Sequence, residues 1–103
     1  MVSIPGAMTP SEIVGAWNDG ADIVKLFPAG DLGAGYIKAL CSPLNHILFT
    51  AVGGINSQSA AEFIKAGAIG VGVGGNLVNK QWIANGEFDK ITALAEEFCR
   101  NAQ

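Results

Sequence analysis

Ala21-Asp22-Ile23-Val24-Lys25-Leu26-Phe27-Pro28-Ala29 is a short apolar run bounded by Gly20 upstream and Pro28 within it, and it predicts a buried strand from Ile23 to Phe27. Strand alternation places Ile23, Lys25 and Phe27 on one face and Val24 and Leu26 on the other. Lys25 is the one cation of the run. An ammonium among apolar neighbours loses hydration, which favours the neutral amine. A neutral amine is the nucleophile that attacks a ketone to form a Schiff base. On the strand alone, a lysine turned to water to discourage edge pairing fits equally well. The rest of the chain decides between them.

Working outward, the chain reads as βαβαβαβα with short connections. Thr9-Pro10-Ser11-Glu12 has the form of a capping box, with Thr9 at the N-cap and Glu12 at N3. The helix it opens runs to about Asp19, where Gly20 supplies a left-handed stop. After the Lys25 strand comes a Gly-rich loop, Gly30 to Gly35, then a helix bearing Tyr36, Ile37 and Leu40 that ends near Ser42-Pro43. A strand is expected from Ile47 to Val52, a helix capped by Asn56 and closed by Gly67, and a strand from Ala68 to Val73. A short helix is expected over Leu77–Gln81, and Glu87 to Arg100 carries a helical apolar period. Gly6, Thr9, Gly20, Ala21 and Val24 recur 47 positions later as Gly53, Asn56, Gly67, Ala68 and Val71, a faint repeat that pairs loop with loop and strand with strand. Alternating strands and helices imply a parallel sheet covered on both faces. A doubly wound sheet is the rival to a barrel, but no Gly-x-Gly-x-x-Gly follows the first strand.

Val24-Lys25-Leu26-Phe27-Pro28-Ala29 resembles the Schiff-base strand of the 2-keto-3-deoxy-6-phosphogluconate (KDPG) and 4-hydroxy-2-oxoglutarate (KHG) class I aldolase family. Pro5-Gly6 with Thr9-Pro10-Ser11-Glu12, Phe49 to Ile55 with Gly53-Gly54, and Ile69 to Val78 with Gly74-Gly75-Asn76 are similar to that family's other motifs, in the same order and spacing. The resemblance implies a (β/α)8 barrel of which residues 1–103 form the C-terminal half, about the last four βα units. Composition agrees with a partial fold, since a whole barrel needs roughly 200 or more residues. Half the residues are hydrophobic, 15% are charged and the mean hydropathy is +0.35, so much of the surface is suited to being covered.

The net charge of −3, with a pI near 4.8, argues against a nucleic-acid partner. No apolar stretch approaches the roughly 20 residues of a membrane span, and the first residues lack a signal peptide's pattern, so a cytoplasmic location is expected. Cys41 and Cys99 are read as buried free thiols. His46, the single histidine, is expected in the loop before a strand, and histidine-cluster metal sites are excluded. Trp17 and Trp82 read as packing and loop cover, and Glu87, Asp89, Glu96 and Glu97 as the solvated face of the last helix.

Gly53-Gly54 and Gly74-Gly75-Asn76 each follow a strand, where barrels bind phosphate through backbone N–H groups that glycine leaves unobstructed. The resemblance implies the same role for them. It also implies that Lys25 forms the iminium without metal or cofactor, and that Phe27 packs against the pyruvyl part. The implied reaction releases pyruvate and a three-carbon phosphorylated aldehyde, and the implied assembly is a homo-oligomer, a trimer in the family. Three departures matter. Asn76 stands where the family often has serine, and its amide is a possible phosphate donor. Ala51-Val52 replaces the family's Pro-Thr, as in the galactonate-configured branch, so Val52 lacks the hydroxyl that contacts substrate. The general acid/base glutamate and the carboxylate-gripping residues belong to the first strands and have no match here; Glu12 is explained as a helix cap. Two rival readings are a lyase for unphosphorylated 4-hydroxy-2-oxoglutarate and an inert half-barrel that only self-associates.

Overall fold

The computed structural model describes residues 1–103. Four strands, β1 (Gly6–Ala7), β2 (Val24–Leu26), β3 (Phe49–Val52) and β4 (Gly70–Gly72), form one parallel sheet in sequential order. Six helices accompany them: α1 (Pro10–Asn18), α2 (Ala29–Leu32), α3 (Ala34–Cys41), α4 (Ser57–Ala66), α5 (Lys80–Ala84) and α6 (Phe88–Asn101). The expected strands all form, trimmed at their ends. No helix is long and apolar enough to cross a membrane.

The helix starts follow from their caps. Thr9 Oγ1 accepts from the Glu12 N–H while the Glu12 carboxylate accepts from the Thr9 N–H, and Asn56 with Ser59 repeats the arrangement at α4. Gly20 and Gly67 close these two helices with φ of +102° and +123°. The helix starts and stops of the 47-residue repeat thus recur in the structure, whereas Gly6 lies in β1 and its counterpart Gly53 lies past the end of β3.

Two connections differ from the sequence reading. Part of the expected loop at Gly30–Gly35 is helical: α2 turns once over Ala29–Leu32, and Gly33, at φ +87°, breaks it from α3. The short helix expected over Leu77–Gln81 begins later, at Lys80, because the Asn79 side chain accepts from the Trp82 N–H. Residues 74–78 form a turn closed by N–H groups of Leu77 and Val78 on the Gly74 carbonyl.

The two faces of the sheet are unlike. Ala7, Val24, Leu26, Phe49 and Ala51 are buried against Ile13 of α1, Ile37 and Leu40 of α3, Ala60 and Phe63 of α4 and Phe98 of α6, in one core. The opposite face carries Gly6, Lys25 and Thr50 in one row with Gly70, and Val52 with Gly72 in the next. None of these six residues is buried. The expectation that both faces are covered is thus corrected: all helices that pack on the sheet share one core. That one-sided cover is consistent with a barrel wall and differs from a doubly wound sheet, which has helices on both faces.

Two side-chain expectations also change. Cys41 is half-buried, and desolvation pushes its thiol up, but Cys99 is exposed. Phe98 takes the core-facing position, and the next residue is rotated about 100° around the helix. Glu97 leaves the solvated set, because its carboxylate accepts from the buried Ser57 hydroxyl at 2.9 Å. Glu87 pairs with Lys90 at 3.0 Å, which holds its carboxyl below the usual range. His46 lies in the turn before β3, edge-on to Trp17.

Candidate active site

Lys25 sits at the middle of β2, on the open face, while its neighbours Val24 and Leu26 are fully buried on the other. Its partners in register are Gly6 on β1 and Thr50 on β3. Glycine on one side leaves room around the amine that a larger residue would fill. The apolar surroundings expected for Lys25 exist on one side only: Lys25 is half-buried, with Nζ 5.1 Å from the Phe27 ring centroid. Phe27 itself is half exposed. Lys25, Phe27, Gly6, Ala7, Met8 and Glu12 line one hollow of about 300 Å³.

Glu12 is confirmed as a cap, yet it is also one of the residues that line the Lys25 hollow. Sequence reasoning missed this placement, because a cap residue and a site residue carry the same letter. The Thr9 hydroxyl, then the Thr9 backbone, holds the Glu12 carboxyl below its usual range. Near neutral pH it is an ionised acceptor and not a proton donor.

The glycine loops are brought together. Gly54, Ile55, Gly74, Gly75 and Asn76 line a second, polar hollow of about 240 Å³ beyond the ends of β3 and β4. Gly53 does not line it. A Cβ there would meet the Phe27 ring at 2.9 Å, and its φ is +105°, so glycine is required by both space and backbone. Gly54, at φ +67°, completes the turn. The Asn76 amide is partly committed, since Nδ2 donates to the Ile55 carbonyl at 2.9 Å and so ties the two loops. One N–H of that amide takes this bond and the other is left to donate. Gly74 and Gly75 have open space where a Cβ would stand, and their φ values are ordinary for any residue.

A second tie joins the segment after the Lys25 strand to this region. The Gly30 N–H donates to the Gly53 carbonyl at 2.8 Å, so the first turn of α2 is tied to the loop after β3. A Cβ at Gly30 would lie 2.5 Å from the Gly53 oxygen and 2.9 Å from the Gly54 oxygen. Gly30→Ala should therefore force the loops apart and cost roughly 1–3 kcal/mol, as overpacking does. Gly35→Ala in α3 meets nothing within 4 Å and serves as the control. Urea midpoints of the two variants test this, and equal midpoints would show that the Gly30 contact constrains nothing.

Val52 lies on the Lys25 face one row further on, packed over Gly72, whose added Cβ would come within 2.8 Å of Val52 Cγ2. Gly72 is thus required by crowding, whereas Gly70 has ordinary room beside Thr50 Oγ1 at 3.7 Å. Thr50 is a second residue that sequence reading passed over. Its position two before Val52 was the available signal, since residues two apart share a face. No group of three or more His, Cys, Asp and Glu side chains comes together to hold a metal.

The model of the KDPG and KHG aldolase family matches residues 1–94. A 2-dehydro-3-deoxy-6-phosphogalactonate aldolase of Escherichia coli (strain K12) is 40% identical over 78 residues, covering 75% of this chain and 38% of that protein. A 2-dehydro-3-deoxy-phosphogluconate aldolase of Treponema pallidum (strain Nichols) is 35% identical over 95 residues, covering 91% of this chain and 45% of that protein. A solved structure described as native KDPGal superposes with a TM-score of 0.84 at 32% identity, over 100% of this chain and 50% of that one. The chain therefore spans half or less of the length of each of these relatives.

Proposed function

Because this chain belongs to the KDPG and KHG aldolase family, we propose that it is the C-terminal half of a (β/α)8 class I aldolase barrel. The completed enzyme cleaves a 2-keto-3-deoxy-6-phospho sugar acid to pyruvate and glyceraldehyde 3-phosphate. The observation that carries the reading is the position of Lys25, mid-strand on the uncovered face, beside the glycine of β1 and below loops that form a separate polar hollow.

The chemistry follows from that placement. The Lys25 amine adds to the keto carbon and, with loss of water, gives an iminium. The positive nitrogen accepts the electron pair of the breaking C–C bond as the substrate hydroxyl loses its proton. The aldehyde departs, the enamine is protonated at carbon, and hydrolysis returns pyruvate and free Lys25. Phe27, beside Nζ, supports an apolar wall for the pyruvyl methyl. The hollow of Gly54, Gly74, Gly75 and Asn76 would take the phosphate at the far end of the substrate, with Gly53 shaping its turn. Reaction with pyruvate and borohydride, followed by peptide mapping, tests the assignment. Lys25 should carry the reduced adduct, and labelling at Lys38, Lys65, Lys80 or Lys90 with Lys25 free would end it.

The phosphate assignment has its own test. Gly75 has room for a side chain and needs no special backbone conformation, so Gly75→Val fills the hollow without straining the fold. In a barrel completed with a relative's N-terminal half, KM for phosphorylated substrate should rise by about tenfold or more while pyruvate exchange stays unchanged, as expected when only remote binding is lost. Equal effects on both would make the loop structural. The same pair of measurements separates the alternative substrate, unphosphorylated 4-hydroxy-2-oxoglutarate, which needs no phosphate hollow.

Val52 bears on stereochemistry. An apolar side chain discriminates weakly against a substrate hydroxyl, whereas a site that hydrogen-bonds it can reject the wrong partner strongly. Val52 is consistent with the galactonate-type substrate of the 40%-identical relative. Val52→Thr keeps the shape over Gly72 and adds a donor, so the kcat/KM ratio should move toward the gluconate form by roughly tenfold or more. An unchanged ratio would mean that position 52 does not read that hydroxyl.

A further inference from the structure

We infer that Tyr36 is a positioning residue of the Lys25 site: its hydroxyl holds the loop after β1, one wall of the Lys25 hollow, to the start of α3. The inference deepens the aldolase reading above and rests on it.

The loop after β1 has little else to fix it. β1 is two residues long, and Met8, which follows it, is exposed. On either side the backbone is held: the Ala7 carbonyl accepts from the Phe27 N–H at 3.2 Å, and the Thr9 carbonyl accepts from the Ile13 N–H at 2.9 Å. The Met8 carbonyl between them receives no backbone N–H. The Tyr36 hydroxyl donates to it at 2.7 Å, across 28 positions of sequence.

The donor side is rigid. Ile37 and Leu40 anchor α3 in the core, and the half-buried Tyr36 ring packs against that core. Gly33, at φ +87°, starts the helix, and its carbonyl accepts from the Tyr36 N–H at 3.2 Å. Helix α2, just before it, is tied to the loop after β3 by the Gly30 bond to Gly53. A well-held donor and a weakly held acceptor mean that the bond acts on the loop rather than on the helix. It also completes a frame. Gly30 with Gly53 and Asn76 with Ile55 link the segments after β2, β3 and β4, and Tyr36 with Met8 adds the segment after β1.

That segment matters to the chemistry because Ala7, Met8 and Glu12 line the hollow together with Lys25 and Phe27. Attack of an amine on a ketone needs the reacting atoms about 3–3.5 Å apart and aligned, and a misplacement of about 1 Å costs on the order of 10²-fold. A wall that holds its place keeps the ketone within that range. Tyr36 does not line the hollow itself, so it acts through the Met8 carbonyl and not on the substrate.

Tyr36→Phe removes the hydroxyl and keeps the ring. In the 103-residue chain, the limiting rate of pyruvate–borohydride adduct formation at Lys25 should fall by about tenfold. The chain has two methionines, so ¹³C-methyl labelling gives one line for Met8 and one for Met1 as reference. The variant should shift or broaden the Met8 line and leave that of Met1 in place. A variant with its helices intact by far-UV circular dichroism that labels at the parent rate would overturn the inference, whether or not the Met8 line moves. If the variant loses its helices, the parent decides. Tyr36 is the single tyrosine, so 3-fluorotyrosine reports on it alone, and its ¹⁹F line should shift when the reduced adduct fills the hollow. An unmoved line would overturn the inference. A parent that fails to label at Lys25 ends the aldolase reading instead, and the Met8 line then decides whether Tyr36 holds the loop.

Discussion

Lys25→Arg is expected to abolish the borohydride-trapped pyruvate adduct and, in a barrel completed with a relative's N-terminal half, to lower kcat by on the order of 10⁴- to 10⁶-fold, as loss of a nucleophile does elsewhere. Arginine keeps the positive charge and can keep the contact over the Phe27 ring, now 5.1 Å from Lys25 Nζ. What it cannot do is lose a proton and condense with a ketone. Lys25 is only half-buried, and its row of the sheet includes Gly6, so the larger side chain has room and the fold should survive. The effect would thus separate covalent chemistry from charge. Turnover within tenfold of the parent would show that Lys25 acts, if at all, as an electrostatic group. Labelling retained at another lysine of the variant would reassign the nucleophile.

Much of this arrangement was legible in the residues because it is local. Apolar runs between Gly and Pro mark β2, β3 and β4, and Thr9 and Asn56 mark helix starts, since each signal acts within a few residues. What escaped depends on the fold bringing distant residues together. The α2 turn is four residues long, too short to show a helical period, and its place is fixed by the Gly30 bond to Gly53. The bond from the Asn76 amide to the Ile55 carbonyl spans 21 positions and has no local signal. Cys99 lies one residue beyond the core position of Phe98, a distinction that an apolar helical context does not resolve. The uncovered face could not be read from alternating elements, because the same alternation describes a barrel wall and a sheet covered on both sides.

The 103-residue chain by itself should trap pyruvate yet cleave aldol substrate more slowly than a completed barrel by about 10²- to 10⁴-fold, the usual contribution of a positioned general acid or base. Iminium formation needs the Lys25 amine, but C–C cleavage must also take a proton from the substrate hydroxyl and return one to the enamine carbon. The acidic residue among those lining the Lys25 hollow is Glu12, and its Oε1 accepts from the Thr9 hydroxyl at 2.8 Å and from the Thr9 N–H at 3.1 Å. Those bonds hold its proton affinity below that of an ordinary glutamate, the wrong direction for a group that must give a proton back near neutral pH. Glu12→Gln preserves an acceptor for the cap and should leave the residual rate unchanged. A coupled aldehyde assay on the chain alone, on the chain with a relative's N-terminal half, and on the Glu12→Gln variant would decide the point. Turnover by the lone chain that matches the completed barrel, or a residual rate abolished by Glu12→Gln, would place the proton-transfer group within these residues.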